Sequence, residues 1–188
     1  TALDITAMLA TFNEEQIELG LPPIEVGIGI NTGVVSVGDM GSSIRRSYTV
    51  LGDAVNLAAR LEPLAKSYGV LAAVGERTVK LAPQFHWQWM DTIRVAGKSQ
   101  SVNVYAPMQV AFGGPGTLSH ATQTEIDQWQ LFHAAYLERE WAYGLRLLDQ
   151  LQALRPHKKL YAIYRQRLLE FQMHPPAADW DGVIDMEK

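Results

Sequence analysis

Residues 48–61 read YTVLGDAVNLAARL, and this stretch changes from a strand pattern to a helix pattern at one glycine. The aromatic and β-branched residues before Gly52 predict a strand that ends at Leu51. After the glycine, apolar residues recur at helical spacing, and Asp53 is the expected N-cap because its carboxylate can accept free backbone N–H groups. Pro63 is expected to kink or end this helix. The stretch therefore predicts a strand–turn–helix unit.

Strands and helices alternate on both sides of this unit. An amphipathic helix is predicted before it, and a Gly/Ser-rich turn is predicted at residues 38–43. The predicted strands lie at residues 25–30, 34–37, 46–51 and 71–74, followed by a short helix at 76–81 and a hairpin of residues 85–95 and 102–106. This alternation is typical of an α/β arrangement.

The composition changes after this region. Residues 109–120 are rich in Gly, Pro, Ser and Thr and are interpreted as a linker. Residues 121–188 are predicted to form a small all-helical module, a TPR-like helical hairpin followed by a third helix. The expected organisation is thus an α/β part at 1–108, a linker and a helical extension.

The bulk composition excludes several classes of function. The chain has 188 residues, of which 47% are hydrophobic, and a formal net charge of -4, so we expect no nucleic-acid partner. Cysteine is absent, which rules out disulfides and thiolate chemistry. Since no apolar run reaches the roughly 18 residues of a membrane span, we expect this segment to be cytoplasmic.

Asn56 and Arg60 are the first candidates for chemistry. They lie four residues apart on the predicted helix, so their side chains share one face and could contact one ligand. On spacing alone, such a pair is more often part of a solvated helix face.

The whole stretch 48–61 resembles the hallmark segment of class III nucleotidyl cyclases almost residue for residue. Residues 27–33 (GIGINTG) and 38–42 (GDMGS) are similar to two further family segments, and residues 95–98 (VAGK) to the family's phosphate-contacting turn. The resemblance extends to about Met108, whereas residues 178–183 are only loosely similar to cyclases with an N-terminal extracytoplasmic sensor. It implies an α+β, ferredoxin-like nucleotidyl cyclase fold without its N-terminal strands.

The resemblance implies a reaction in which the ribose 3′-hydroxyl of ATP attacks the α-phosphate, giving cyclic AMP and pyrophosphate. By position in the family motifs, Arg60 would stabilise the transition state and Asn56 would orient the ribose. Lys98, and less directly Arg45, would contact the polyphosphate. Thr49 occupies the position that selects the purine and favours adenine, although a β-branched strand residue chosen for packing explains it equally well.

The family also implies Mg²⁺ or Mn²⁺, bound by two aspartates on strands that precede this chain. Asp39, in a predicted turn, and Asp53, a predicted helix cap, are not expected to replace them, so we expect no metal ligand here. The family's sites form between two subunits, which implies a homodimer. An upstream sensor domain, and a parent protein anchored in the inner membrane, are further expectations.

Two functions remain open at this point. The first is an adenylate cyclase to which this chain contributes Arg60, Asn56, Thr49, Lys98 and Arg45, and which needs the upstream half for turnover. The second is a catalytically degenerate, cyclase-like module that regulates or binds other proteins.

Overall fold

A computed structural model describes residues 2–41, 46–94, 100–108 and 118–185 of the protein. The helices in this part of the chain are α1 (Ala2–Glu18), α2 (Asp53–Tyr68), α3 (Glu76–Leu81), α4 (His120–Leu137), α5 (Trp141–Leu154) and α6 (Lys159–Met173). The strands are β1 (Ile28–Ile30), β2 (Ser36–Gly41), β3 (Arg46–Leu51), β4 (Ala72–Gly75), β5 (Trp87–Arg94), β6 (Ser101–Pro107) and β7 (Val183–Asp185).

The strands of the described residues form a mixed five-stranded sheet and a separate hairpin. The sheet has the order β1-β4-β6-β5-β7, with β1 parallel to β4, β6 antiparallel to both β4 and β5, and β7 parallel to β5. Strands β2 and β3 pair antiparallel with each other. A mixed sheet covered by helices confirms the fold class predicted from the sequence.

Helix α2 packs on the sheet through residues spaced as an amphipathic helix requires. Its buried side chains are Leu61, Leu64, Ala65 and Tyr68. Strand β4, with the sequence AAVG, is buried along its whole length. Small side chains in a central strand let the helix backbone lie close to the sheet.

The C-terminal helices α4, α5 and α6, which are called the tail below, share one hydrophobic core with the sheet. Trp129 of α4 donates its indole N–H to the carbonyl of Trp89 in β5 at 2.8 Å, and the hydroxyl of Tyr164 in α6 donates to the carbonyl of Met90 at 2.6 Å. Both tail side chains are buried, together with Phe132 and Tyr136. The tail therefore packs directly on strand β5.

A buried carboxylate joins the three tail helices. Glu125 of α4 accepts hydrogen bonds from Arg155 at 3.0 Å, Lys158 at 2.6 Å and the Tyr161 hydroxyl at 2.5 Å. Burial by itself raises the pKa of Glu125, but the hydrogen bonds and the two cations outweigh it and hold this pKa below its ordinary value. The carboxylate is thus ionised and fully partnered in the folded state.

Strand β7 was not predicted from the sequence. It extends the sheet beyond β5, with Ile93 opposite Ile184 and an ion pair of 2.8 Å between Arg94 and Asp185. Three residues are too few to give a periodic pattern, so only tertiary pairing identifies this strand. Helix α4 begins at His120, while residues 109–117 of the expected linker lie outside the described residues, and the domain boundaries stay a prediction.

Two local predictions are corrected, and the one for Pro63 is narrowed. The N-cap of α2 is Gly52, and Asp53 is the first residue of the helix, where its carboxylate lies near the positive end of the helix dipole. Pro63 was expected to kink or end α2, and the helix does not end there but continues to Tyr68. Asp39 belongs to strand β2, opposite Tyr48, because the predicted Gly/Ser-rich turn is strand as far as Gly41.

Candidate active site

The position of helix α2 is set by glycines in strand β1 and just before it. A Cβ atom at Gly29 would lie 2.0 Å from the carbonyl oxygen of Ala58 and 2.7 Å from the amide nitrogen of Glu62. A Cβ at Gly27 would lie 2.7 Å from the carbonyl oxygen of Glu62. The backbone of α2 therefore lies directly on β1, and only glycine fits at this crossing.

The first turn of α2 is fixed by further contacts. The side-chain amide of Asn31 donates to the carbonyl of Ala54 at 3.1 Å, and a Cβ at Gly33 would lie 2.4 Å from the Cβ of Ala54. Gly52 has φ 155° and ψ 159°, a conformation that is essentially restricted to glycine. The segment 27–33 and Gly52 thus hold the start of the helix in one place.

Asn56 and Arg60 lie one turn apart in the first half of α2, and both residues are exposed. The buried residues of the helix, Leu61, Leu64, Ala65 and Tyr68, all lie in its second half, so packing of the core leaves the Asn56 and Arg60 positions open to a ligand. The pair that the sequence singled out is therefore on one accessible helix face.

Thr49 lies on the strand that leads into this helix. It is half-buried, pairs with Gly38 across the hairpin, and precedes Gly52 by three residues. Strand β3 contacts α2, and the turn at Gly52 joins the strand that carries Thr49 to the helix that carries the Asn56–Arg60 pair. Arg45 and Lys98 lie outside the described residues.

No group of three or more His, Asp or Glu side chains with metal-site geometry occurs among the described residues. Asp39 in β2 and Asp53 at the start of α2 belong to no such group there. The residues present in this part of the chain do not fit a metal centre. Within the same residues, no helix has the length and hydrophobicity of a membrane span.

Comparison with known proteins decides the family. The profile of the "Adenylate and Guanylate cyclase catalytic domain" matches residues 1–108. This chain belongs to that family. The class III cyclase resemblance of the sequence is thereby confirmed over the same residues.

Individual relatives agree with this assignment. The chain is 38% identical to an "Adenylate cyclase" of Anabaena cylindrica over 52% of its length, and 34% identical to "Adenylate cyclase 1" of Rhizobium meliloti over 55%. It covers only 21% and 16% of those two proteins. The "Crystal structure of the guanylyl cyclase Cya2" superposes with a TM-score of 0.51 at 30% identity, covering 62% of this chain and 59% of the other.

One group of polar residues at the end of α2 was not predicted from the sequence. Tyr68, the last residue of α2, forms hydrogen bonds with Asp91 of β5 and Arg167 of α6. Burial, followed by the nearby Asp91 carboxylate, raises the pKa of Tyr68 well above its ordinary value, so the phenol is neutral. The available signal was that Asp91 is the single charged residue within strand residues 87–93, but its partners come from distant parts of the sequence.

Proposed function

We propose that this chain contributes the transition-state half of an adenylate cyclase active site, in a protein that converts ATP to cyclic AMP and pyrophosphate. The observation that carries the proposal is that Asn56 and Arg60 are exposed on α2. The backbone of this helix lies directly on β1 at Gly29, which fixes the position of the pair. Family membership over residues 1–108 supports the proposal.

The proposed chemistry is an intramolecular phosphoryl transfer. The ribose 3′-hydroxyl releases its proton to solvent as its oxygen forms a bond to the α-phosphorus. The bond from that phosphorus to the bridging oxygen breaks, and pyrophosphate leaves with the bonding electrons. Negative charge develops on the phosphate oxygens, and the planar guanidinium of Arg60 is suited to stabilise it. The side-chain amide of Asn56, one turn away, would hydrogen-bond the ribose and orient the attacking hydroxyl.

Polyphosphate binding is assigned to Lys98 and Arg45 on the sequence motifs alone. Mg²⁺ or Mn²⁺ is part of the proposal through the family resemblance, and its ligands would come from residues outside this chain. A divalent cation at such a site neutralises charge on the phosphates.

The choice of purine rests on Thr49. Two relatives carry the name adenylate cyclase, whereas the superposed structure is of a guanylyl cyclase, so relatives alone leave the base open. A threonine hydroxyl can accept a hydrogen bond from the exocyclic amine of adenine. Thr49 therefore favours ATP over GTP in this proposal.

A homodimer is the proposed assembly, with each site shared between two chains. Exposed apolar side chains on the hairpin that contains Thr49 support the proposal that a second chain covers this surface: Val37 is 53% and Tyr48 75% exposed. Among the described residues, strand β1 pairs with β4 alone, which leaves one edge for further strands. An upstream sensor domain belongs to the same proposal.

The test uses the natural polypeptide that contains this chain. It is incubated separately with ATP and GTP, each with Mg²⁺ or Mn²⁺, and the cyclic nucleotide is measured. We expect cyclic AMP from ATP and much less cyclic GMP from GTP. A preference for GTP would contradict the role of Thr49, and no product from either nucleotide would favour the degenerate, regulatory module instead.

A further inference from the structure

The C-terminal end of α2 is bound to the tail by a buried polar network. The hydroxyl of Tyr68 donates to the Asp91 carboxylate and accepts a hydrogen bond of 3.0 Å from Nη2 of Arg167. The same Nη2 forms an ion pair of 2.9 Å with Asp91. Three separate elements, α2, β5 and α6, therefore meet at one tyrosine hydroxyl.

The charged members of this network are fixed from several sides. Asp91 is fully buried beside a β-bulge, where the pairing steps from Trp89 to Asp91 against adjacent residues of β6. Its second oxygen accepts the backbone N–H of Thr92 at 2.9 Å. On the tail side, Nη1 of Arg167 donates to the Tyr136 hydroxyl at 3.1 Å. The guanidinium has little freedom to move.

A second contact joins the same two helices. Gly69, the C-cap of α2, has φ 65°, and a Cβ there would lie 2.7 Å from the Cβ of Lys159. Lys159 is the first residue of α6, and Arg167 follows two turns later. Helix α6 thus touches the end of α2 at two points along its own length.

We propose that the tail positions the catalytic helix, with Tyr68, Asp91 and Arg167 as positioning residues for Asn56 and Arg60. Arg60 precedes Tyr68 by eight residues, roughly 12 Å along a rigid helix, so a shift at Tyr68 is carried to the exposed pair. Small displacements of this kind reduce the rate of a reaction that depends on orientation. This inference rests on the proposed function for its effect on catalysis.

The test substitutes the tyrosine hydroxyl alone. Tyr68→Phe keeps the ring in the core and leaves the Asp91–Arg167 ion pair intact. The matched control is Tyr161→Phe, which removes a buried hydroxyl of α6 whose described hydrogen bonds are with Glu125 and Gln88. We expect Tyr68→Phe to lower kcat of the natural polypeptide about tenfold with KM within about twofold, and Tyr161→Phe to leave both within about twofold.

A third variant tests whether the network acts as a unit. Arg167→Lys keeps a positive charge for Asp91 but loses the fork that also reaches Tyr68 and Tyr136. We expect it to lower kcat as Tyr68→Phe does, and the double variant to be no slower than either single variant. Equal loss of activity in Tyr68→Phe and Tyr161→Phe would overturn the proposal, because it would reflect general destabilisation.

Hydrogen exchange separates this inference from the proposed function. In the same polypeptide, Tyr68→Phe should speed amide exchange across α2 about fivefold or more relative to Tyr161→Phe. Unchanged exchange in α2 overturns the proposal, as does unchanged kcat in an active protein. If the wild-type protein forms no cyclic nucleotide, the proposed function fails, and exchange alone then decides whether the tail holds this helix.

Discussion

Gly29 lies where the backbone of helix α2 crosses strand β1. A single added carbon at this position would lie 2.0 Å from the carbonyl oxygen of Ala58, a distance at which backbone atoms must move apart. Because Asn56 and Arg60 are carried on the same helix, the glycine controls where that pair stands relative to the sheet.

Gly29→Ala should therefore destabilise the fold by about 3 kcal/mol, the upper end of the usual cost of overpacking, since neither strand nor helix can move without disturbing the core. Denaturant unfolding of the chain measures this. Gly38→Ala is the matched control, because a Cβ there would meet no other described atom within 4 Å. Equal stability of the two variants would show that α2 does not pack on β1 as described.

His133 lies against the ring of Trp89, with ring centroids 3.8 Å apart. Burial lowers the pKa of His133, while the nearby Asp91 carboxylate acts in the opposite direction and is outweighed. Below the ordinary histidine pKa of about 6.5, the unfolded chain takes up a proton that the folded chain resists. Stability contributed by the neutral ring is thus present above that pH and lost as the pH falls.

The prediction is that His133→Phe, which keeps an aromatic ring on Trp89, reduces the loss of unfolding free energy between pH values of about 7.5 and 5.5. Urea unfolding at the two pH values gives the comparison. His157→Gln, at an exposed turn, should leave the loss as in the wild type. An unchanged loss in His133→Phe would mean that this ring is not held neutral in the fold.

Whether a residue of the site could be predicted from the sequence depends on how far from it its partners lie in the chain. Asn56 and Arg60 were predictable because one continuous motif contains both, and helical spacing alone puts them on one face. The network of Tyr68, Asp91 and Arg167 could not be predicted, since its hydrogen bonds join positions up to 99 residues apart. Only the folded chain brings those three together.

At the level of elements, the strand–turn–helix unit follows from local chemistry. Strand β3 has the predicted bounds, and so does helix α3, because their patterns and end signals are local. The boundary at Asp53 was misassigned by one residue, since Gly52 adopts a conformation that the sequence does not reveal. Strand β7 was missed because three residues acquire their pairing only from β5.

Helix α6 provides a direct test of how the tail is attached. Leu168 is fully buried in the core shared with the sheet, whereas its neighbour Leu169 is 43% exposed. Leu168→Ala should cost about 2–5 kcal/mol of unfolding free energy through lost burial and the cavity it leaves. Leu169→Ala should change it by less than about 0.5 kcal/mol.

The measurement is denaturant unfolding followed by tryptophan fluorescence and by circular dichroism. Because α6 and β5 share a core, we expect the two probes to report one coincident transition in both variants. A separate early transition in Leu168→Ala, with the sheet unaffected, would contradict a common core.

At the scale of the whole molecule, the hydrophobic core extends over more of the chain than the family match does. The cyclase profile ends at residue 108, but the hydrophobic core continues into the three helices that follow. Three tail side chains form hydrogen bonds with strand β5: Trp129 and Tyr164 donate to its carbonyl groups, and Tyr161 accepts from Gln88. The helical extension is thus built onto the catalytic fold, whatever further segments the natural protein contains.

The central claim is that Arg60 stabilises the transition state of nucleotide cyclisation. The most direct test is the rate of cyclic AMP formation by the natural polypeptide carrying Arg60→Ala, compared with Arg146→Ala, which removes an exposed arginine from tail helix α5. We predict that Arg60→Ala lowers kcat about 100-fold or more while Arg146→Ala stays near the wild-type rate. Equal rates for wild type and Arg60→Ala would contradict the claim.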